Sequence, residues 1–165
     1  MKLLKKALLY DIANMAYLIA DTGNDASHSL HRVRDICQEG NIDRVSRVLG
    51  IAYSNLLDVL RPILISLPID ENRDHSKTPH DYLFLFRRDH CHGYRLTPEV
   101  KLKIKETTHE YMVCLVLADW LDVTFPEAAD VWRFRFEQAL ESLQILVASV
   151  AEVSSASFKR KIFPF

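Results

Sequence analysis

The sequence predicts an all-α fold, an antiparallel bundle of four to five helices with a short extended or hairpin excursion near residues 82–96. First, only 4 of the 165 residues are glycine, which leaves few of the positive-φ turns that hairpin-rich β folds require. Second, apolar residues recur every three or four positions in several long segments, which is the spacing of one helix face. Third, a connection of four residues around Thr124 and Pro126 forces the last two helices to run antiparallel.

The N-terminal part, residues 1–65, is predicted to contain three helices. The first spans residues 3–20, and a shorter, more polar helix spans residues 26–38. Asn41 is suited to cap the third helix because its side-chain oxygen can accept hydrogen bonds from free backbone N–H groups. Pro62 is expected to end this helix, since proline lacks a backbone donor and clashes with the preceding turn.

Residues 66–96 interrupt the helical pattern with a polar, proline-containing loop that leads into an apolar run. A strand over 82–87 paired with 93–96 is one interpretation of this run. A single buried helical turn is the other, because short apolar segments do not distinguish the two.

The C-terminal part, residues 97–153, is predicted to form a helical hairpin. Thr97 followed by Pro98 indicates a helix start, with an N-cap hydroxyl and a proline in the first turn. Residues 111–118 are apolar at every position, so this helix is expected to be enclosed on several sides at the centre of the fold. Together with a basic tail over 154–165, these parts form a single predicted domain.

The last helix of the hairpin is expected to end near Val153. At 100° per residue its apolar residues from Trp132 to Val150 fall mainly on one face, whereas Phe134 and Ile145 fall on the opposite face. Phe134 and Ile145 are therefore candidate partner-binding residues. The alternative is that they cover another part of the same chain.

The net charge of −1 hides an uneven distribution. Three lysines lie within residues 2–6, and Lys159, Arg160 and Lys161 lie near the other end. Without these six residues, 15 basic and 22 acidic residues remain, so the body is acidic. The basic ends are candidates for contact with DNA or an acidic partner, and solvated helix ends are the alternative.

Cysteine usage and hydropathy predict a reduced, cytoplasmic protein. The three cysteines are widely spaced and show no disulfide pattern. Asp11 and Asn14 interrupt the first apolar run, which argues against a signal peptide. No segment reaches the length of about 18 apolar residues that a membrane span requires, so no membrane contact is expected.

Candidate chemistry is concentrated in the histidine-rich loop, where His80, His90 and His92 are possible metal ligands. Their spacing matches no zinc pattern, and a solvated polar loop is the alternative. Glu106 and His109 have the spacing of half a di-iron site, but no second such pair exists, so they are predicted to be surface or helix-pairing residues. We therefore predict no metal site, no cofactor and no catalytic residue.

A segment of unusual composition lies across the turn of the hairpin. Its distinctive residues are His109-Glu110-Tyr111, Val116 to Leu121, Thr124, Pro126, Ala129 and Trp132. This segment resembles small helical proteins of tailed phages and prophage-like elements of Bacteroidales, some of which act as head–tail connector or neck proteins. The resemblance covers roughly residues 80–150 and implies structural roles, with Trp120 anchoring the helix pair and Asp119 meeting Arg133 or Arg135.

The resemblance implies a non-enzymatic structural or assembly protein, a phage-type head–tail connector that works as a homo-oligomer and is associated with the virion. One alternative is a regulatory or adaptor bundle that binds a protein partner. A metal-dependent enzyme that uses the histidine-rich loop is a third possibility.

Overall fold

The computed structural model describes residues 1–22, 29–65, 81–86 and 96–162, with backbone alone for 29–30 and 152–162. Five α-helices dominate these residues, and the predicted all-α class is confirmed. In chain order the elements are β1 (Lys2–Leu4), α1 (Lys5–Thr22), α2 (Ser29–Arg34), α3 (Ile42–Leu60), β2 (Asp81–Leu83), α4 (Pro98–Thr124) and α5 (Pro126–Ile162).

The α4–α5 hairpin forms as the sequence predicts. The Thr97 hydroxyl accepts a hydrogen bond from the Val100 N–H at 3.3 Å, and Pro98 occupies the first turn of α4. The connection is one residue, Phe125, and not the predicted four, because both helices extend further into the turn; the Phe125 N–H donates to the Leu121 carbonyl at 2.8 Å. Close to the turn Asp122 meets Arg133, and farther from it the ring of Tyr111 meets that of Phe136, so the helices are antiparallel.

Helix α4 is the central element of the described fold. It packs against α1, α2, α3 and α5, and every residue of 111–118 is buried or half-buried. The continuous apolar run is explained by this position, because neighbours on several sides leave no face for water. The prediction that α4 is enclosed on several sides is confirmed.

The extended segment pairs with an unexpected partner. Strand β2 is antiparallel to β1, with Leu3 opposite Tyr82, and the Tyr53 hydroxyl donates to the Leu83 carbonyl at 2.7 Å. The sequence predicted 93–96 as the partner strand, and residues 93–95 lie outside the described part of the chain. The buried Leu3 and Tyr82 explain the observed pairing, since each strand places one large side chain in the core.

Two predicted boundaries near the N-terminus are wrong. Helix α1 begins at Lys5 because residues 2–4 form the strand, and the second helix becomes a 3₁₀ turn over Asp35–Cys37. Helix α3 begins at Ile42, directly after Asn41 as predicted, but the Asn41 side chain makes no cap bond to it and its amide donates instead to the Asp35 carbonyl at 2.9 Å. The predicted end of α3 before Pro62 is confirmed.

The C-terminal boundary also differs. Helix α5 continues through Ile162, so the predicted tail over 154–165 is helical as far as Ile162. No helix within the described ranges has both the length and the apolar composition needed to cross a bilayer.

A buried hydroxyl on α4 provides a stability test. The Thr108 hydroxyl is completely buried and has no hydrogen-bond partner among the described residues. We expect Thr108→Val to raise the free energy of unfolding by about 1 kcal/mol, because valine preserves the shape and removes the desolvation cost of an unpaired hydroxyl. Urea denaturation measures this change, with Thr107→Val on the same helix as the control. A clear loss of stability in Thr108→Val alone would contradict the prediction.

Candidate interaction surface

The outward face of α5 carries exposed side chains at spacings of three and four residues. Val131, Phe134 and Ile145 are 55%, 60% and 64% exposed. Together with the polar and small residues that continue the spacing, they form what we call the α5 stripe, which consists of Val131, Phe134, Gln138, Glu141, Ile145 and Ala148. A spacing of three and four along a helix is the pattern of a coiled-coil seam.

The stripe lies opposite the face by which α5 joins the core. Trp132, Ala139, Leu143 and Val147 are buried and share the inner face. At 100° per residue the six stripe residues span an arc of about 100° on the other side of the helix. The predicted outward placement of Phe134 and Ile145 is thus observed. Val131 was missed, although its position three residues before Phe134 is the signal that would have found it.

Charged residues flank the stripe and are held by contacts within the chain. The Arg133 guanidinium donates to the Asp130 carboxylate at 2.6 Å and also to Asp122. The hydrogen bond to Asp122 and the charge of that carboxylate raise the pKa of Arg133. On the other side, the Arg135 guanidinium lies 4.8 Å from the centroid of the Trp132 ring. These contacts hold the charged side chains on both rims of the stripe, the positions that flank it, in fixed places.

One structural role inferred from the resemblance, that of Asp119, needs correction. Asp119 does not meet Arg133 or Arg135, because it faces the first turn of α3 and accepts from Arg44 at 2.9 and 3.1 Å. Asp122, three residues later, is the acidic residue that faces the start of α5. The indole N–H of Trp120 donates to the Val33 carbonyl at 3.3 Å, so the buried Trp120 links α4 to α2.

The polar pair on the N-terminal half of α4 joins two helices. His109 Nε2 lies 2.7 Å from Asp11 Oδ2, which links α4 to α1, whereas Glu106 is exposed. This arrangement agrees with the predicted surface and helix-pairing roles. Among the described residues, no group of three or more His, Cys, Asp or Glu is placed to hold a metal ion.

A second exposed apolar face lies on α1. Tyr10 and Tyr17, seven residues apart, are 70% and 53% exposed, and Leu18 beside them is also exposed. The Arg34 guanidinium lies 4.8 Å from the centroid of the Tyr17 ring. These residues were not predicted from the sequence, although the heptad spacing of Tyr10 and Tyr17 was a usable signal.

Other predicted site residues lie outside the described part of the chain. These are the three candidate metal ligands, His80, His90 and His92. Lys159, Arg160 and Lys161 are placed by the backbone of α5 alone. Because α5 has 37 residues and the antiparallel α4 has 27, the last ten residues of α5 extend about 15 Å beyond the start of α4.

The two described cysteines are free thiols, with Cys114 buried and Cys37 half-buried. Burial raises the pKa of the Cys37 thiol and raises that of Cys114 to about 11. A reactive cysteine has a lowered pKa because the thiolate is the nucleophile. Both thiols are therefore suited to packing rather than to nucleophilic chemistry.

Comparison with known proteins adds no relative, since no protein-family model, curated protein or solved structure matches this chain.

Proposed function

We propose that this chain is a non-enzymatic structural or assembly protein that acts as a homo-oligomer, with the α5 stripe as its self-association surface. The observation that carries the proposal is the outward placement of Val131, Phe134 and Ile145, each more than half exposed on one helix face. Apolar residues gathered on one exposed face mark interaction sites more often than single exposed residues do. The resemblance to head–tail connector proteins, which assemble from many copies, supports the same role.

The strength of the expected association follows from the apolar area. Full burial of one such side chain contributes about 1.5–3 kcal/mol, and each of two copies brings three that are 55% to 64% exposed. Their burial therefore contributes on the order of 5–10 kcal/mol, whereas association costs an estimated 4–15 kcal/mol. We expect reversible assembly that depends on protein concentration.

Phe134→Glu tests this proposal, because it places a charge at the largest apolar residue of the stripe. By light scattering after gel filtration, we expect the wild-type mass to rise with concentration from 19.1 kDa to at least twice that value. The variant should stay at the monomer mass throughout, since a buried unpaired carboxylate opposes association.

The matched control is Ile51→Glu on α3, where the isoleucine is exposed to a similar extent but lies outside the stripe. It should assemble like the wild type. Unchanged assembly of Phe134→Glu, with circular dichroism showing an intact fold, would contradict the proposal.

A second candidate function is an adaptor bundle that binds another protein through α1. The exposed Tyr10, Tyr17 and Leu18 favour it, because tyrosine supplies apolar area and a hydrogen-bonding group at low entropic cost. The same light-scattering experiment separates the candidates. A wild-type chain that stays monomeric at every concentration favours the adaptor.

A further inference from the structure

We infer that two copies of α5 pair through their stripes in the antiparallel orientation, about a two-fold axis near residues 139 and 140. The inference rests on the proposed self-association and adds its geometry. The order of the stripe carries it: from Val131 to Ala148 the side chains are apolar, apolar, polar, polar, apolar, apolar. This order is the same in both directions, so an antiparallel pair places apolar residues opposite apolar residues and polar residues opposite polar residues.

The apolar layers match in this orientation. Phe134 of one copy lies opposite Ile145 of the other, and Val131 lies opposite Ala148. The two-fold axis repeats each contact, because in such an interface residue i meets residue j and residue j meets residue i. The dimer therefore has four apolar contacts, and each is made by two side chains that are exposed in the single chain.

The central layer decides between the two orientations. In the antiparallel pair, Gln138 lies opposite Glu141, and the amide N–H groups can donate to the carboxylate. In a parallel pair, Glu141 lies opposite Glu141 of the other copy. Two carboxylates would then lose water while facing a like charge, which strongly disfavours the charged forms.

The residues that flank the stripe also favour the antiparallel orientation. Antiparallel pairing places Glu137 beside Gln144 and Arg135 beside Ser142, so neither of these two charged residues faces a like charge. Parallel pairing would bring Asp130 near Arg135 of the other copy, but an exposed ion pair contributes little. Asp130 already accepts from Arg133, and Arg135 already lies over the Trp132 ring. An ion pair between Asp130 and Arg135 of the other copy would therefore stabilise the parallel dimer even less.

The antiparallel pair has consequences for larger assemblies. An isologous interface closes on itself, so the stripe alone produces a dimer and a ring requires a second surface. The exposed face of α1 is available for that contact. The basic residues around Arg160 lie at opposite ends of the paired helices, about 60 Å apart along the helix axis at 1.5 Å per residue.

Engineered cysteines at the ends of the stripe test the orientation. The variants are Val131→Cys, Ala148→Cys and the double substitution, each oxidised mildly and mapped by peptide mass spectrometry. Antiparallel pairing brings residue 131 of one copy beside residue 148 of the other, whereas the two copies of residue 148 are about 25 Å apart. The intermolecular 131–148 disulfide should therefore form in the double variant, at roughly tenfold the yield of any link in the single variants.

Light scattering on the same samples distinguishes a failure of the proposed self-association from a failure of the antiparallel geometry. A monomer at every concentration overturns the proposed function. A concentration-dependent dimer that links 148 to 148 in the single variant overturns the antiparallel inference and leaves the proposed function standing. A dimer that forms neither disulfide also overturns the inference, because another surface then holds it together.

Discussion

Replacing Trp120 with alanine is expected to lower the free energy of unfolding by about 3–5 kcal/mol. The indole is buried between α4 and the α2–α3 region, where its N–H donates to the Val33 carbonyl at 3.3 Å. The Arg44 guanidinium lies 5.6 Å from the ring centroid and also binds Asp119. Truncation leaves a cavity and removes the hydrogen bond from the indole to this carbonyl.

Urea denaturation followed by circular dichroism measures this loss. Trp120→Phe retains most of the packing and removes only the N–H group, so we expect an intermediate loss. Val123→Ala, at an exposed position in the last turn of the same helix, should change the free energy of unfolding by no more than about 0.5 kcal/mol. A Trp120→Ala variant as stable as this control would show that Trp120 does not anchor the helices.

The second large effect is a loss of stability between about pH 9 and pH 12. Burial raises the pKa of Cys114 from 9.0 to about 11, and burial together with the nearby Tyr53 raises that of Tyr82 from 10.0 to about 12. Above the ordinary pKa values, the unfolded chain releases protons that the folded chain still holds. Stability therefore falls as pH rises, by up to about 3 kcal/mol for each group.

Guanidinium denaturation at a series of pH values from 8 to 12 measures this fall. The double variant Cys114→Ala with Tyr82→Phe lacks both groups and retains the lysines and the other tyrosines as an internal control. We expect its free energy of unfolding to decline by several kcal/mol less than that of the wild type over this range. Parallel pH profiles for the two proteins would refute the assignment.

Helix-level features could be predicted because they depend on residues close in the chain. The start of α4 at Thr97 and Pro98 follows from local hydrogen bonding and the fixed φ of proline. The outward placement of Phe134 and Ile145 follows from the 100° rotation per residue of a helix. Two of the three large apolar residues of the α5 stripe were therefore predicted from the sequence, and Val131 could have been found by extending the spacing by one turn.

Contacts between distant segments could not be predicted in the same way. The pairing of β1 with β2 joins residues about 80 positions apart, and the link from Asp119 to Arg44 joins residues 75 apart. Each side chain had other chemically suitable partners in the sequence, such as Arg133 for Asp119. Only the packing of α3 against α4 selects between them.

By itself the sequence determined the helical class, the reversal between the last two helices and the face of α5 that meets the core. Periodicity and turn chemistry act over a few residues, so the pattern of side chains is sufficient for these features. The tertiary structure decided that β1 is the strand that pairs with β2 and that Arg44 is the basic residue that binds Asp119. It also decided which outward faces of α1 and α5 are left exposed. These outcomes depend on the relative placement of segments far apart in the chain, which is set by the combined packing of all the elements around α4.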